Sequence, residues 1–332
     1  MMRVLSILGL LIVIGGCAEE RQPPPDPTPT TPPIEMADGT ELPLRYWPPQ
    51  NNQSPEVIVL GIHGFNDHAG GFSATAAALN EAAIGVYAFD QRGFGRTESR
   101  GQWPGTATLV DDALAVARAI QAQHPEQPLY IMGHSMGAAV TTLMLERAND
   151  LDLAGSVLIA PAFWARQTMP WYQRWALWAG ERLTPGLTLS GDGLGIEPTD
   201  DPKVRAELAR DPYWIRDTRV DALAGVVSLM DTALNALPPR PSPPRTLILY
   251  GLADQVIPPP AACAMFKRYP PENDWQAIIY PDGYHMLTRY TGAEKTLTDL
   301  RHYLLNRPGA MPSNHSQRYA QVVKTLCAGA AS

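Results

Sequence analysis

Gly133-His134-Ser135-Met136-Gly137 sets a serine between two glycines, directly after an apolar run from Pro128 to Met132 and directly before a stretch with helical spacing. A serine held in a tight strand-to-helix turn needs neighbours without side chains, so that the backbone closes up and the hydroxyl stands clear. A tight turn without chemistry would use the same glycines, but the strand before and the helix after are the setting that a nucleophilic serine requires. A hydroxyl is a weak nucleophile at neutral pH and needs a base, and histidine is the side chain whose ordinary pKa suits that task. Of the seven histidines, His285 lies five residues past the run Trp275 to Tyr280, after Pro281-Asp282-Gly283-Tyr284. A sheet would deliver it there beside the serine. His302 falls inside a helical pattern, His315 in a polar tail and His124 at a helix end.

An imidazole acting as base needs a carboxylate to fix its tautomer and to stabilise the charge it acquires. Asp254 follows the run Thr246 to Tyr250 in Gly251-Leu252-Ala253-Asp254-Gln255-Val256-Ile257-Pro258, so it too leaves the carboxyl end of a strand. The preceding run, Gly155 to Ala160, leads into Pro161 and offers no carboxylate. A cap on the following helix is the other reading of Asp254. Acyl transfer also passes through an oxyanion that two backbone amides should hold. Met136 supplies one. The second is assigned to Phe65 in His63-Gly64-Phe65-Asn66-Asp67-His68, a loop that would otherwise be a plain packing turn.

The elements that must position these groups alternate. Leu42 to Trp47, after an Asp38-Gly39 turn, reads as an early hairpin strand, and Val57 to Ile62, Ile84 to Phe89, Pro128 to Met132, Gly155 to Ala160, Thr246 to Tyr250 and Trp275 to Tyr280 read as core strands. Helical spacing marks Thr106 to Gln123, Met136 to Arg147 and Thr296 to Asn306. The alternation predicts an α/β fold around a mostly parallel sheet. The stretch at about 162–243 is too long for an ordinary crossover and reads as an inserted helical cap. In it Trp171, Trp175 and Trp178 share one helix face, which either packs the cap on the body or lines a ligand wall.

Arg3 precedes an apolar run, Val4 to Ile14, too short to span a bilayer as an ordinary helix. Ile14-Gly15-Gly16-Cys17 resembles the lipobox of bacterial lipoproteins, which implies a signal peptide over 1–16 and lipid on Cys17; a plain secretory signal is the alternative. Arg21 to Pro33 holds seven prolines and three threonines, so 17–33 reads as an extended tether. A body over 34–332, with a C-terminal extension at 308–332, would then hang from a membrane in the bacterial cell envelope. Ala18 after the cysteine slightly favours the outer membrane. In such an oxidising compartment Cys263 and Cys327 are either bridged or two buried thiols. The formal net charge of −7, without a basic stripe, argues against a nucleic-acid partner.

With these residues in place, the chain resembles the monoacylglycerol lipase and lysophospholipase branch of the α/β-hydrolases, often grouped with serine aminopeptidase-like hydrolases. The resemblance covers roughly Leu42 to Asn306. It rests on His63-Gly64 with His68, Asp90-Gln91-Arg92-Gly93-Phe94-Gly95-Arg96-Thr97, His134 and Met136 around Ser135, Gly251 to Pro258, and Tyr284-His285-Met286-Leu287. It implies an eight-stranded sheet with helices on both faces, a lid, and hydrolysis of lipid-like esters carrying one acyl chain, without metal or organic cofactor. His63, His134, Trp171 and Trp175 are the expected substrate contacts. Asp90 to Thr97 is expected to be structural, with Arg92 as a headgroup ligand the alternative. Two other activities compete: a small-ester esterase, and an aminopeptidase-like hydrolase using Asp200, Asp201, Glu207 and Asp211 to hold an amine. A non-catalytic envelope lipoprotein is the reading from another class. Oligomeric state stays open.

Overall fold

The computed structural model describes residues 31–50, 53–191, 195–237, 245–269 and 275–328. The signal peptide, Cys17 and most of the tether lie outside the described residues. In chain order the strands are β1 (Ile34–Glu35), β2 (Glu41–Leu42), β3 (Leu44–Trp47), β4 (Val57–Ile62), β5 (Ile84–Phe89), β6 (Leu129–His134), β7 (Leu153–Ile159), β8 (Thr188–Ser190), β9 (Asp217–Arg219), β10 (Thr246–Gly251), β11 (Trp275–Tyr280) and β12 (Ser316–Gln317). The helices are α1 (Ser73–Asn80), α2 (Thr106–Gln123), α3 (Met136–Leu145), α4 (Trp171–Leu183), α5 (Pro202–Arg210), α6 (Val220–Asn235), α7 (Pro259–Phe266), α8 (Ala293–Leu304) and α9 (Tyr319–Cys327).

Eight strands form the main sheet in the order β12-β11-β10-β7-β6-β4-β5-β3. From β5 to β11 every neighbouring pair is parallel, and the two outer strands, β3 and β12, run antiparallel. A parallel sheet must be covered on both faces, and the side chains of β4 show how. Ile58, Leu60 and Ile62 join one apolar cluster with α2, α3, α6, α7 and α9, while Val57 and Val59 join a second with α1 and α8.

The expected strand over Leu42 to Trp47 divides at Pro43. β2 closes a hairpin with β1 around Gly39 (φ +81°), and β3 enters the main sheet beside β5. The eighth strand comes from the C-terminal extension, where β12 pairs with β11 and α9 buries Val322 and Leu326. Cys263 of α7 and Cys327 of α9 are joined by a disulfide.

The insertion differs from expectation in two ways. It holds a small antiparallel pair, β8 with β9, and its last helix packs on α3, burying Val226, Leu229 and Met230 in the main core. That last helix therefore belongs to the covering of the main sheet.

Candidate active site

β6 runs through Gly133 and His134, and the chain turns into α3 at Ser135 itself. Ser135 has φ +54°, a left-handed conformation that costs a non-glycine residue about 1–3 kcal/mol and persists only where the surroundings enforce it. The enforcement is visible. The Ser135 N–H donates to the Ile159 carbonyl (2.9 Å), and the Ser135 carbonyl accepts from Ala138 (3.0 Å) and Ala162 (3.1 Å). Gly137 must be glycine, because a Cβ there would lie 2.0 Å from the Ile62 carbonyl oxygen.

Two further strand ends bring the other groups. His285 Nδ1 lies 2.8 Å from Asp254 Oδ2, and Asp254 Oδ1 accepts the N–H groups of Val256 (2.8 Å) and Ile257 (2.9 Å). Both side chains are buried. The loops that carry them touch at Gly251, whose Cβ would fall 2.1 Å from the Gly283 carbonyl oxygen, so only glycine lets them approach. The carboxylate fixes the proton on Nδ1 and leaves Nε2 as an acceptor. His134, the neighbour of Ser135 in the turn, donates its Nε2 proton to the His285 carbonyl (3.1 Å), holding the histidine loop from the opposite side.

Ser135 and His285 open into one cleft of about 690 Å³, with Gly64, Phe65 and His134 on the body side. The rest of its lining is mainly apolar, with Ile196, Leu208, Trp214, Ile215, Val256 and Met286, but it also carries Arg205, Arg216 and Thr218. The N–H of Met136, at the first position of α3, has no acceptor within the helix. Gly64 lies against Ser135, since a Cβ on it would be 3.3 Å from the serine Cβ. Such a set can take a proton from the serine and hold an acyl group beside backbone donors.

Three of the expected substrate contacts need correction or refinement. His63 is 1% exposed and does not line the cleft; its Nδ1 donates to the Gly64 carbonyl (2.8 Å) and its Nε2 accepts from the Gln91 N–H (3.0 Å). Trp171 and Trp175 are 68% and 61% exposed and also stand outside the cleft wall. Helical spacing rightly puts them on one face with Trp178, but α4 buries no residue fully and leans on the protein through Leu177, leaving that face to solvent. The spacing says which residues share a face and nothing about what covers it. The aromatic wall is instead Trp214, which follows a short Asp211-Pro212 turn and belongs to no periodic pattern.

The four acidic residues considered as an amine anchor are engaged elsewhere. Asp200 accepts from Thr291, Asp201 caps α5, Glu207 faces Arg289 (3.5 Å) and Asp211 holds His68 (2.8 Å). None of the four lines the cleft. Arg92 joins Asp112 (3.0 Å) to Asp38 of the first hairpin, which makes it a brace of the fold.

Burial without a carboxylate partner pushes the His63 imidazole down to about 3. The unfolded chain binds this proton below about pH 6.5 and the native protein does not, so stability is lost as pH falls, by about 1.4 kcal/mol per unit. Urea unfolding at pH 7.5 and pH 5 should therefore show His63→Asn losing about 2 kcal/mol less than the parent over that interval. Equal losses would mean that His63 is protonated in the native state.

A mostly parallel eight-stranded sheet, with a serine turn after β6 and a carboxylate–histidine pair after β10 and β11, defines the α/β-hydrolase fold. Residues 53–290 match the family model described as serine aminopeptidase, S33, and the chain belongs to that family. The monoglyceride lipase of Rattus norvegicus is 31% identical over 142 residues, 42% of this chain and 46% of that protein, so the chain spans about half the length of such relatives. The monoacylglycerol lipase of Mycolicibacterium smegmatis is 25% identical over 273 residues, covering 81% of this chain and 94% of that one. Among solved structures, a soluble variant of monoglyceride lipase from Saccharomyces cerevisiae superposes with a TM-score of 0.69 at 20% identity, over 87% of this chain and all of the other. The monoacylglycerol lipase of Paleococcus ferrophilus gives 0.65 at 24%, over 81% of this chain and all of the other. At these identities the superpositions speak for the fold.

Proposed function

We propose that the protein hydrolyses carboxylic esters with a single acyl chain, of the monoacylglycerol or lysophospholipid kind, through an acyl-enzyme on Ser135. The observation that carries this reading is the buried Asp254–His285 pair opening with Ser135 into a cleft whose lining is mainly apolar. His285 Nε2 takes the serine proton as Oγ attacks the ester carbonyl, and the N–H groups of Phe65 and Met136 hold the oxyanion. The same imidazole returns the proton to the departing alcohol, then activates the water that releases the acid. Asp254 keeps the ring in the tautomer that this cycle needs and stabilises it when charged. We place the protein in the bacterial cell envelope, anchored by lipid on Cys17, with the Pro-rich tether giving the cleft reach to lipid-like substrates.

The test is turnover of p-nitrophenyl esters from acetate to palmitate, beside Ser135→Ala. Activity that rises with chain length and vanishes in the variant is the expected result. A short-chain preference would move the reading to a small-ester esterase, and the absence of Ser135-dependent turnover of any ester would overturn it.

A further inference from the structure

The loop that carries Phe65 is held on its far side by residues of the insertion. The Gly64 carbonyl accepts from His63 Nδ1 (2.8 Å) and from the Asp67 N–H (3.3 Å). In a planar trans peptide the following N–H points opposite to that carbonyl, so these two bonds aim the Phe65 N–H away from His63 and Asp67. The turn is completed by Asn66 at φ +62°, a conformation that asparagine adopts more readily than other non-glycine residues and that support from outside can hold. The support comes from the insertion. The Asn66 carbonyl accepts the Ile215 N–H (3.0 Å), and its side-chain amide donates to Thr218 Oγ1 (2.6 Å). Around this contact, Asp211 takes the His68 ring (2.8 Å), Arg100 donates to the Pro212 carbonyl (2.6 Å) and the Arg96 guanidinium lies 4.1 Å above the Tyr213 ring. Residues 211–218 therefore grip 66–68 while their own Ile215 and Thr218 face the cleft.

We propose that Asn66 is a positioning residue through which the insertion sets the oxyanion donor: the Gly64–Asp67 turn presents the Phe65 N–H correctly only while residues 215–218 are seated on it. Stabilisation of the tetrahedral intermediate then depends on the seating of the cap, whatever the acyl chain. The proposal rests on the reading of Ser135 as the nucleophile of ester hydrolysis.

Two substitutions in the full chain isolate the contact. Thr218→Val removes the acceptor at nearly constant volume, and Asn66→Gly removes the amide while keeping a positive φ accessible. Loss of one oxyanion donor costs on the order of 10² to 10³ in rate; a loosened donor should cost about tenfold in kcat. The expected result is that loss for each variant, equal for p-nitrophenyl acetate and a long-chain ester, with KM within about twofold, and a double variant no worse than either single one. Binding of a phenylboronic acid, which forms a tetrahedral adduct on the serine, should weaken about tenfold in both. A loss confined to long-chain esters and expressed in KM would make Thr218 only a cleft wall. A lowered melting temperature with unchanged kcat and boronate affinity would make Asn66 only a structural residue. Either result overturns the proposal. A parent without Ser135-dependent turnover would instead overturn the ester-hydrolase reading, while boronate affinity unchanged in the variants would still reject the role of Asn66 separately.

Discussion

Asp254→Asn is expected to lower kcat for ester hydrolysis by about 10⁴ with little change in KM. The geometry makes the substitution informative. Asparagine keeps one carbonyl oxygen, and the two backbone N–H groups of Val256 and Ile257 bind Oδ1 of the present carboxylate at 2.8 and 2.9 Å. That pair recruits the asparagine oxygen, so the amide nitrogen must face His285 where Oδ2 now stands at 2.8 Å. A nitrogen that donates there forces the imidazole to carry its proton on Nε2, the atom that must accept from Ser135. The fold and the cleft stay intact while the base is held in the wrong tautomer. Steady-state kinetics with a soluble ester measures this directly, beside Ser135→Ala, whose loss should be nearer 10⁶. A fall of tenfold or less would mean that another group orients the histidine.

Breaking the Cys263–Cys327 bridge is expected to destabilise the protein by about 4 kcal/mol, from the chain entropy of a loop whose ends are 64 residues apart. The bridge ties α9 to α7 on the face of the sheet away from α8. Without it the tail keeps its seat through Val322, Leu326 and the two-residue pairing of β12. A thermal scan with and without reductant, or of the Cys263→Ser/Cys327→Ser variant, should show Tm lower by roughly 6 °C. Activity at 25 °C should survive, since Ser135, His285 and Asp254 lie on other elements. A shift of about 2 °C or less would show that packing of α9 suffices.

The long, strongly patterned elements are legible in the sequence. β4, β5, β11 and α2 begin and end where their residue runs do, because apolar runs between turn signals fix a strand and eighteen residues of regular spacing fix a helix. The residues that meet at the cleft were legible for a related reason: Ser135, Asp254 and His285 each follow a readable strand, and a parallel sheet brings those ends to one edge. Short and non-local pieces were not. β8, β9 and β12 have two or three residues each, too few to show a period, and their pairing depends on distant partners. α6 reads as part of the insertion because sequence distance hides its contact with α3. Trp171 and Trp175 read as cleft contacts but stand in solvent, while nothing in the sequence singles out Trp214 or Asn66, because irregular segments carry no signal of what they face.

β12 does more than complete a count of strands. It covers part of one outer rim of the main sheet, where the backbone of Ala277 to Ile279 would otherwise present open N–H and C=O groups. An uncovered strand of that kind is a template for another chain, and β11, rich in apolar residues, would be a sticky one. The C-terminal extension thus shields that stretch of backbone from pairing with another chain.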